Sequence, residues 1–218
     1  MVAKKNAISP KTKLRSNETS QRILPGLEKI IQLGLLFILL FAPYYRGLYF
    51  DYERAPFFLV VFILSSIFFL YNILYKHQDI VFSTPIEYCF AIFVFFYGLS
   101  IFWAADKGYA FREFFSYVSF FFFFLLSTHL FQSRKMKKLS LEVFSYNGII
   151  LVLLGFFYRF HWIDPQSRPF GMSMKDLFLE SAGRLQSTMQ YPNTFAAYIA
   201  LAIITLLFIQ LVEEKPIY

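Results

Sequence analysis

Apolar and polar positions alternate along this chain in long blocks. Six blocks of 18 to 21 residues are apolar almost throughout: Leu24–Ala42, Ala55–Tyr75, Pro85–Trp103, Glu113–Phe131, Leu141–Tyr158 and Asn193–Val212. A helix needs about 20 residues to cross ~30 Å of hydrocarbon. The few charges inside the blocks, such as Glu28 and Lys29 in the first and Glu87 in the third, fall near their ends, where side chains can snorkel to the interface. The pattern predicts an all-α, polytopic integral membrane protein with six transmembrane helices. Residues 1–23 form a basic tail without apolar periodicity, read as disordered. The membrane region spans residues 24–212, with an outer loop at about 160–192, and residues 213–218 form a short polar end.

Composition excludes the soluble alternative. Hydrophobic residues make up 57% of the 218 positions and charged residues 16%, too little polar surface to cover a water-soluble globule. The first apolar block ends at Ala42-Pro43-Tyr44-Tyr45 without a small-residue cleavage pattern, so it reads as a retained signal anchor. The lone cysteine, Cys89, cannot form an intramolecular disulfide and reads as a small hydrophobe.

The net charge of +7 is scattered over short segments between apolar blocks, a distribution that suits membrane topology and not nucleic acid. Alternating the six blocks puts 13 lysines and arginines on the N-terminal side and 8 on the other, so the N-terminus is expected in the cytoplasm. Six of those eight outer residues are arginine, against three of the thirteen inner ones. A guanidinium fork binds phosphate or carboxylate through paired hydrogen bonds, although arginine also anchors helix ends. The run Phe120–Phe124 reads as lipid-facing bulk, and Tyr44, Tyr45, Tyr49, Phe50 and Tyr52 as an aromatic belt at the outer interface.

The long outer loop carries the most informative stretch. Ser173-Met174-Lys175-Asp176 has the form of a capping box and predicts a short surface helix ending at Ala182-Gly183. Next comes Arg184, and Pro192 or Asn193 then opens the sixth helix. The first amides of a helix lack intrahelical acceptors and sit at its positive end, so Arg184 and this helix start together suit an anion such as phosphate. Pro192-Asn193 equally suits an ordinary helix start. Ala196 and Ala200, four apart, predict close packing of this helix inside the bundle.

The stretch Arg184 to Tyr198, RLQSTMQYPNTFAAY, resembles the arginine-to-Pro-Asn motif of the O-antigen ligase and O-antigen polymerase superfamily. Pro43-Tyr44-Tyr45-Arg46-Gly47-Leu48-Tyr49-Phe50 and Ser100-Ile101-Phe102-Trp103-Ala104 are similar to its Gram-positive members. The resemblance implies a multi-pass protein of the bacterial cell membrane that moves a glycan from a polyprenyl pyrophosphate carrier at the outer face, without metal or cofactor. It makes Arg184, Asn193 and Arg46 the expected pyrophosphate ligands. Such proteins have about twice as many helices and a later outer loop with further arginine and a histidine. The resemblance implies that the chain is similar to the N-terminal half of such a transferase, a truncated family member or a split one completed by a second chain, and no catalytic residue is assigned. His161 is the one histidine on the outer side, and an interfacial anchor is its ordinary role.

Two other classes share part of the pattern. A passive lipid or solute transporter fits a bundle whose central polar groups, such as Ser145 and Asn147, are neutral. A non-catalytic partner subunit of a polysaccharide export system would share the arginine site without turnover. No metal-ligand spacing and no phosphate-binding glycine loop occurs in the sequence.

Overall fold

The structure, a computed structural model, describes residues 10–76, 82, 84–160, 162–163, 185, 187–189 and 191–214. Six helices account for most of them: α1 Pro10–Phe41, α2 Asp51–Tyr71, α3 Pro85–Ser100, α4 Lys107–Leu130, α5 Arg134–Arg159 and α6 Pro192–Glu214. A π-helical turn, Asn72–Lys76, prolongs α2, and a 3₁₀ turn, Ile101–Trp103, prolongs α3. Among the described residues there is no strand. Five helical segments are long and apolar enough to cross a bilayer: Asp51–Leu74, Pro85–Trp103, Lys107–Leu130, Arg134–Arg159 and Pro192–Val212. The chain is a multi-pass, all-helical membrane protein.

The helices run beyond the apolar blocks that announced them. α1 begins at Pro10, inside the stretch expected to be a disordered tail, and α5 begins at Arg134, seven residues ahead of its apolar block. Helical backbone bonding is indifferent to whether side chains face lipid or water, and Lys, Arg, Gln and Glu are good helix formers. Start signals set the boundaries instead. Ser133 Oγ accepts the Met136 amide at 3.2 Å, and Asp106 Oδ1 accepts that of Tyr109 at 2.9 Å. Thr84 and Glu87 form a reciprocal capping box, at 3.3 Å from the Glu87 amide to Thr84 Oγ1 and 3.2 Å from the Thr84 amide to Glu87 Oε2.

Contacts order the helices as α3 on α4, α4 on α2 and α1, α1 on α5, and α5 on α6. A central cluster, including Ile31, Leu35, Val61, Leu64, Phe68 and Leu126, joins α1, α2 and α4. In lipid the hydrophobic effect does not drive helices together; close packing and interhelical hydrogen bonds do. Glycines make that approach possible. A Cβ on Gly34 would lie 2.8 Å from Leu64, and one on Gly148 would lie 2.6 Å from the Ala202 Cβ.

One expectation about faces is overturned and a second holds only in part. Ala196 and Ala200 are exposed, and α6 instead meets α5 through Phe195, Tyr198, Ile199 and Ala202, which face Leu151 and Gly148. Close approach comes from the α5 glycine, so the small residues on α6 need not face the bundle. The Phe120–Phe124 run is lipid-facing only in part: Phe120 is exposed, whereas Phe121, Phe122, Phe123 and Phe124 are half-buried. Phe120 meets Phe58, Phe121 meets Phe90, Phe122 meets Phe62 and Phe69, and Phe124 meets Phe90. Five consecutive helical residues at about 100° each sweep the whole circumference, and α4 has neighbours on most of it.

Gly148 supplies a direct test of the α5–α6 contact. Gly148→Ala places a methyl against Ala202 and should lower stability by about 1–3 kcal/mol, read by thermal unfolding in detergent. Gly26→Ala, where no atom lies within 4 Å of the added carbon, should leave stability unchanged or raise it by up to about 1 kcal/mol.

Candidate functional site

The helix ends at one face of the bundle, where α1 turns into α2 and the chain enters α6, bring together two stretches far apart in sequence. α1 stops at Phe41 because Pro43 follows. Proline has no N–H, so the Leu39 carbonyl loses the donor that a continuing helix would supply. The Tyr44 amide turns back to the Phe41 carbonyl at 3.0 Å, leaving the Leu40 carbonyl without its helical donor too. Both are satisfied from α5: the side-chain amide of Asn147, fully buried, donates to the carbonyls of Leu39 and Leu40 at 3.1 Å each. Asn147 Oδ1 accepts the Tyr44 hydroxyl at 2.9 Å.

The segment leading into α6 folds onto the same corner. Ser187, Thr188 and Met189 are buried. Thr188 Oγ1 donates to the Pro43 carbonyl at 2.7 Å, and Ser187 Oγ to that of Leu151 at 2.7 Å. Met189 packs over Gly47, its Cα 3.6 Å from where a Cβ on that glycine would sit. The junction is strained on both sides. Arg46, Gly47 and Leu48 have φ of 51°, 62° and 57°, and Ser187 has 51°. Left-handed residues other than glycine cost roughly 1–2 kcal/mol each, and such strain concentrates where packing overdetermines the backbone.

Charged groups line the neighbouring surface. Arg46 Nη1 lies 3.3 Å from Glu53 Oε1 and donates to the Tyr52 hydroxyl at 3.0 Å. The Arg46–Glu53 approach lacks hydrogen-bond geometry, so the attraction is mainly electrostatic. The Glu53 side chain is completely buried, and its other oxygen accepts the Phe50 amide at 3.3 Å, fixing the start of α2. Arg54 pairs with Asp51 and, at 3.3 Å, with Glu113 of α4, and Arg112 reaches Asp51 at 3.1 Å. Three arginines therefore face three carboxylates. Arg46 Nε and Arg54 Nε are buried donors without an acceptor among the described residues.

An apolar cavity of about 210 Å³ lies beside this corner, between α1, α2 and α4. Ile38, Phe57, Val61 and Phe123 line it, Leu48 of the left-handed turn borders it, and Tyr198 reaches it from α6.

The expected anion ligands fare differently. Arg46 is at the corner but ion-paired. α6 starts at Pro192, and Asn193 is an exposed residue of its first turn, where by position its amide has no intrahelical acceptor. Arg184, His161 and the capping box at Ser173–Asp176 lie outside the described residues. Cys89 is exposed on α3, as a lipid-facing residue would be. Sequence reasoning noted Asn147 only as a neutral polar residue, and it missed Thr188 and Glu53. A signal for Asn147 was present. A lone asparagine amid apolar residues needs partners, and Pro43 implies a carbonyl in need of a donor.

Substitutions at the buried groups should separate their roles. Asn147→Leu strands two carbonyls and a phenol and should destabilise by about 1–3 kcal/mol, whereas Tyr44→Phe should cost about 0.5–1.5 kcal/mol. Burial raises the Tyr44 pKa above its ordinary 10.0. Its stabilising contribution is thus present below pH 10 and lost as pH rises through the folded-state value, so Tyr44→Phe should soften alkaline unfolding followed by circular dichroism. Arg46→Gln leaves Glu53 buried without its counter-charge and should cost about 3–5 kcal/mol, while Arg46→Gln/Glu53→Gln together should cost less, as a double-mutant unfolding series would read.

Comparison with protein-family models, curated proteins and solved structures finds no match to this chain.

Proposed function

We propose that this chain is a six-span membrane protein of the O-antigen ligase and polymerase type, which handles a glycan on a polyprenyl pyrophosphate carrier at the outer face of a bacterial cell membrane. The observation that carries the reading is the meeting of Pro43–Phe50 with the segment that enters α6, through Thr188 on Pro43 and Met189 on Gly47. Both stretches bear the resemblance, and a hydrogen bond joins them across 145 residues of sequence.

The chemistry of the corner supports the same reading. A carrier lipid has an anionic head and a hydrocarbon tail. The head would meet Arg184 and the first-turn amide of Asn193, with the guanidinium of Arg46 beside them. The adjoining apolar cavity suits the first isoprene units of the tail. Arg46 is the secondary ligand because Glu53 already holds much of its charge, whereas Arg184 is the primary one. Donors placed in this way would stabilise the charge that develops on the leaving pyrophosphate. In this reading α1 crosses the membrane as well as the five segments given above, the N-terminus is cytoplasmic, and the chain binds carrier while a second polypeptide completes the transfer site.

Three measurements test the proposal. A phosphatase reporter fused after Ser167 should be active and one after Met136 inactive; the reverse pattern would place the corner on the wrong side. In nanodiscs, Arg184→Lys keeps the charge but loses the paired hydrogen bonds, so it should weaken polyprenyl pyrophosphate binding by about 1–3 kcal/mol. Unchanged affinity in Arg184→Ala would remove that residue from the site. The purified chain alone should bind lipid-linked oligosaccharide without transferring it, and robust product would show that no second chain is required.

A further inference from the structure

The opposite face carries a second concavity, unrelated to the corner around Asn147. α5 opens there with four cations among five residues, Arg134, Lys135, Lys137 and Lys138, and the last turns of α6 lie alongside. Between the two helices is a cavity of about 280 Å³. Arg134, Lys137 and Lys138 line one side of it; Phe208, Ile209 and Val212 line the other. Lys138 is partly neutralised by Glu142 at 3.6 Å, but Arg134 and Lys137 have no carboxylate partner among the described residues.

We propose that this cavity seats one acidic phospholipid, with its phosphate between Arg134 and Lys137 and an acyl chain along Phe208, Ile209 and Val212. Charge complementarity selects an anion, and the positive end of the 26-residue α5 reinforces it. The apolar wall selects a lipid over a soluble phosphate, because a free anion gains nothing from three hydrocarbon side chains. The wall is also continuous with the bilayer, since Phe208 is exposed on the outside of α6. Basic pockets between membrane helices at the polar boundary have the chemistry that retains phospholipid headgroups. The site would tie the start of α5 to the end of α6 from the side away from the carrier corner.

The test is native mass spectrometry of the full chain released from micelles containing equal phosphatidylglycerol and phosphatidylcholine. One phosphatidylglycerol should be retained in preference to phosphatidylcholine. Neutralising two cations, Arg134→Gln/Lys137→Gln, should reduce that preference about thirtyfold. These side chains are exposed, so the fold should persist, as circular dichroism would check. Lys135→Gln, on the same turn but outside the cavity lining, should leave the preference unchanged. An equal fall in Lys135→Gln would mean diffuse surface charge and would overturn the site. Complete displacement of the lipid by inorganic phosphate would overturn the choice of a lipid ligand, as would wild-type preference in the double variant.

Discussion

A backbone carbonyl at the end of a helix that stops near the membrane boundary needs a donor, and the arrangement of this protein follows from how that need is met at Leu39 and Leu40. Pro43 withdraws one donor and the turn at Tyr44 redirects another. Asn147 replaces both and is held in place by the Tyr44 hydroxyl. One side-chain amide thereby fixes α5 against α1. Gly148, next along α5, then lets α6 approach to methyl contact at Ala202. The same solution recurs at the other face, where Gln32 of α1 donates to the carbonyl of Leu130, the last residue of α4, at 2.9 Å.

Where the loops meet, strain and charge are both tied to this frame. Three successive left-handed residues between α1 and α2 sit where Met189 packs over Gly47 and Thr188 holds the Pro43 carbonyl. The turn leaves Leu48 beside the apolar cavity and Arg46 beside Glu53. Half of the arginines expected on this side, Arg46, Arg54 and Arg112, are engaged by carboxylates. The arginine excess therefore serves cohesion of α2 and α4, and the buried Nε donors of Arg46 and Arg54 are left without an acceptor among the described residues.

Aromatic packing shows how a helix at the centre of an arrangement differs from one at its margin. The Phe run of α4 contacts α2 and α3 because it encircles its helix. α3 and α6 stand at the two ends of the packing order and keep most of their apolar surface outward: Phe95 and Phe96 are 63% exposed and Ile204 61%. Lipid is the natural cover for such surfaces.

The existence and approximate place of the membrane helices were written in the sequence. Hydrocarbon thickness sets a block length that no soluble helix requires, and charges are expelled to block ends. The start of α6 at Pro192 was legible from the proline, whereas the caps Asp106 and Ser133 start α4 and α5 ahead of the apolar blocks that were read at Glu113 and Leu141. Which faces meet was not legible. In lipid an apolar face signals nothing about burial, because lipid and neighbouring helices are equally apolar, so Ala196 and Ala200 misdirected the reading and the Phe run looked like bulk. Nor could the sequence pair Pro43 with Asn147 and Thr188, because each is satisfied by a partner more than a hundred residues away. Tertiary structure alone decided that, since only in the folded chain does the carbonyl orphaned by a proline come within reach of a buried asparagine, Asn147, that donates to it.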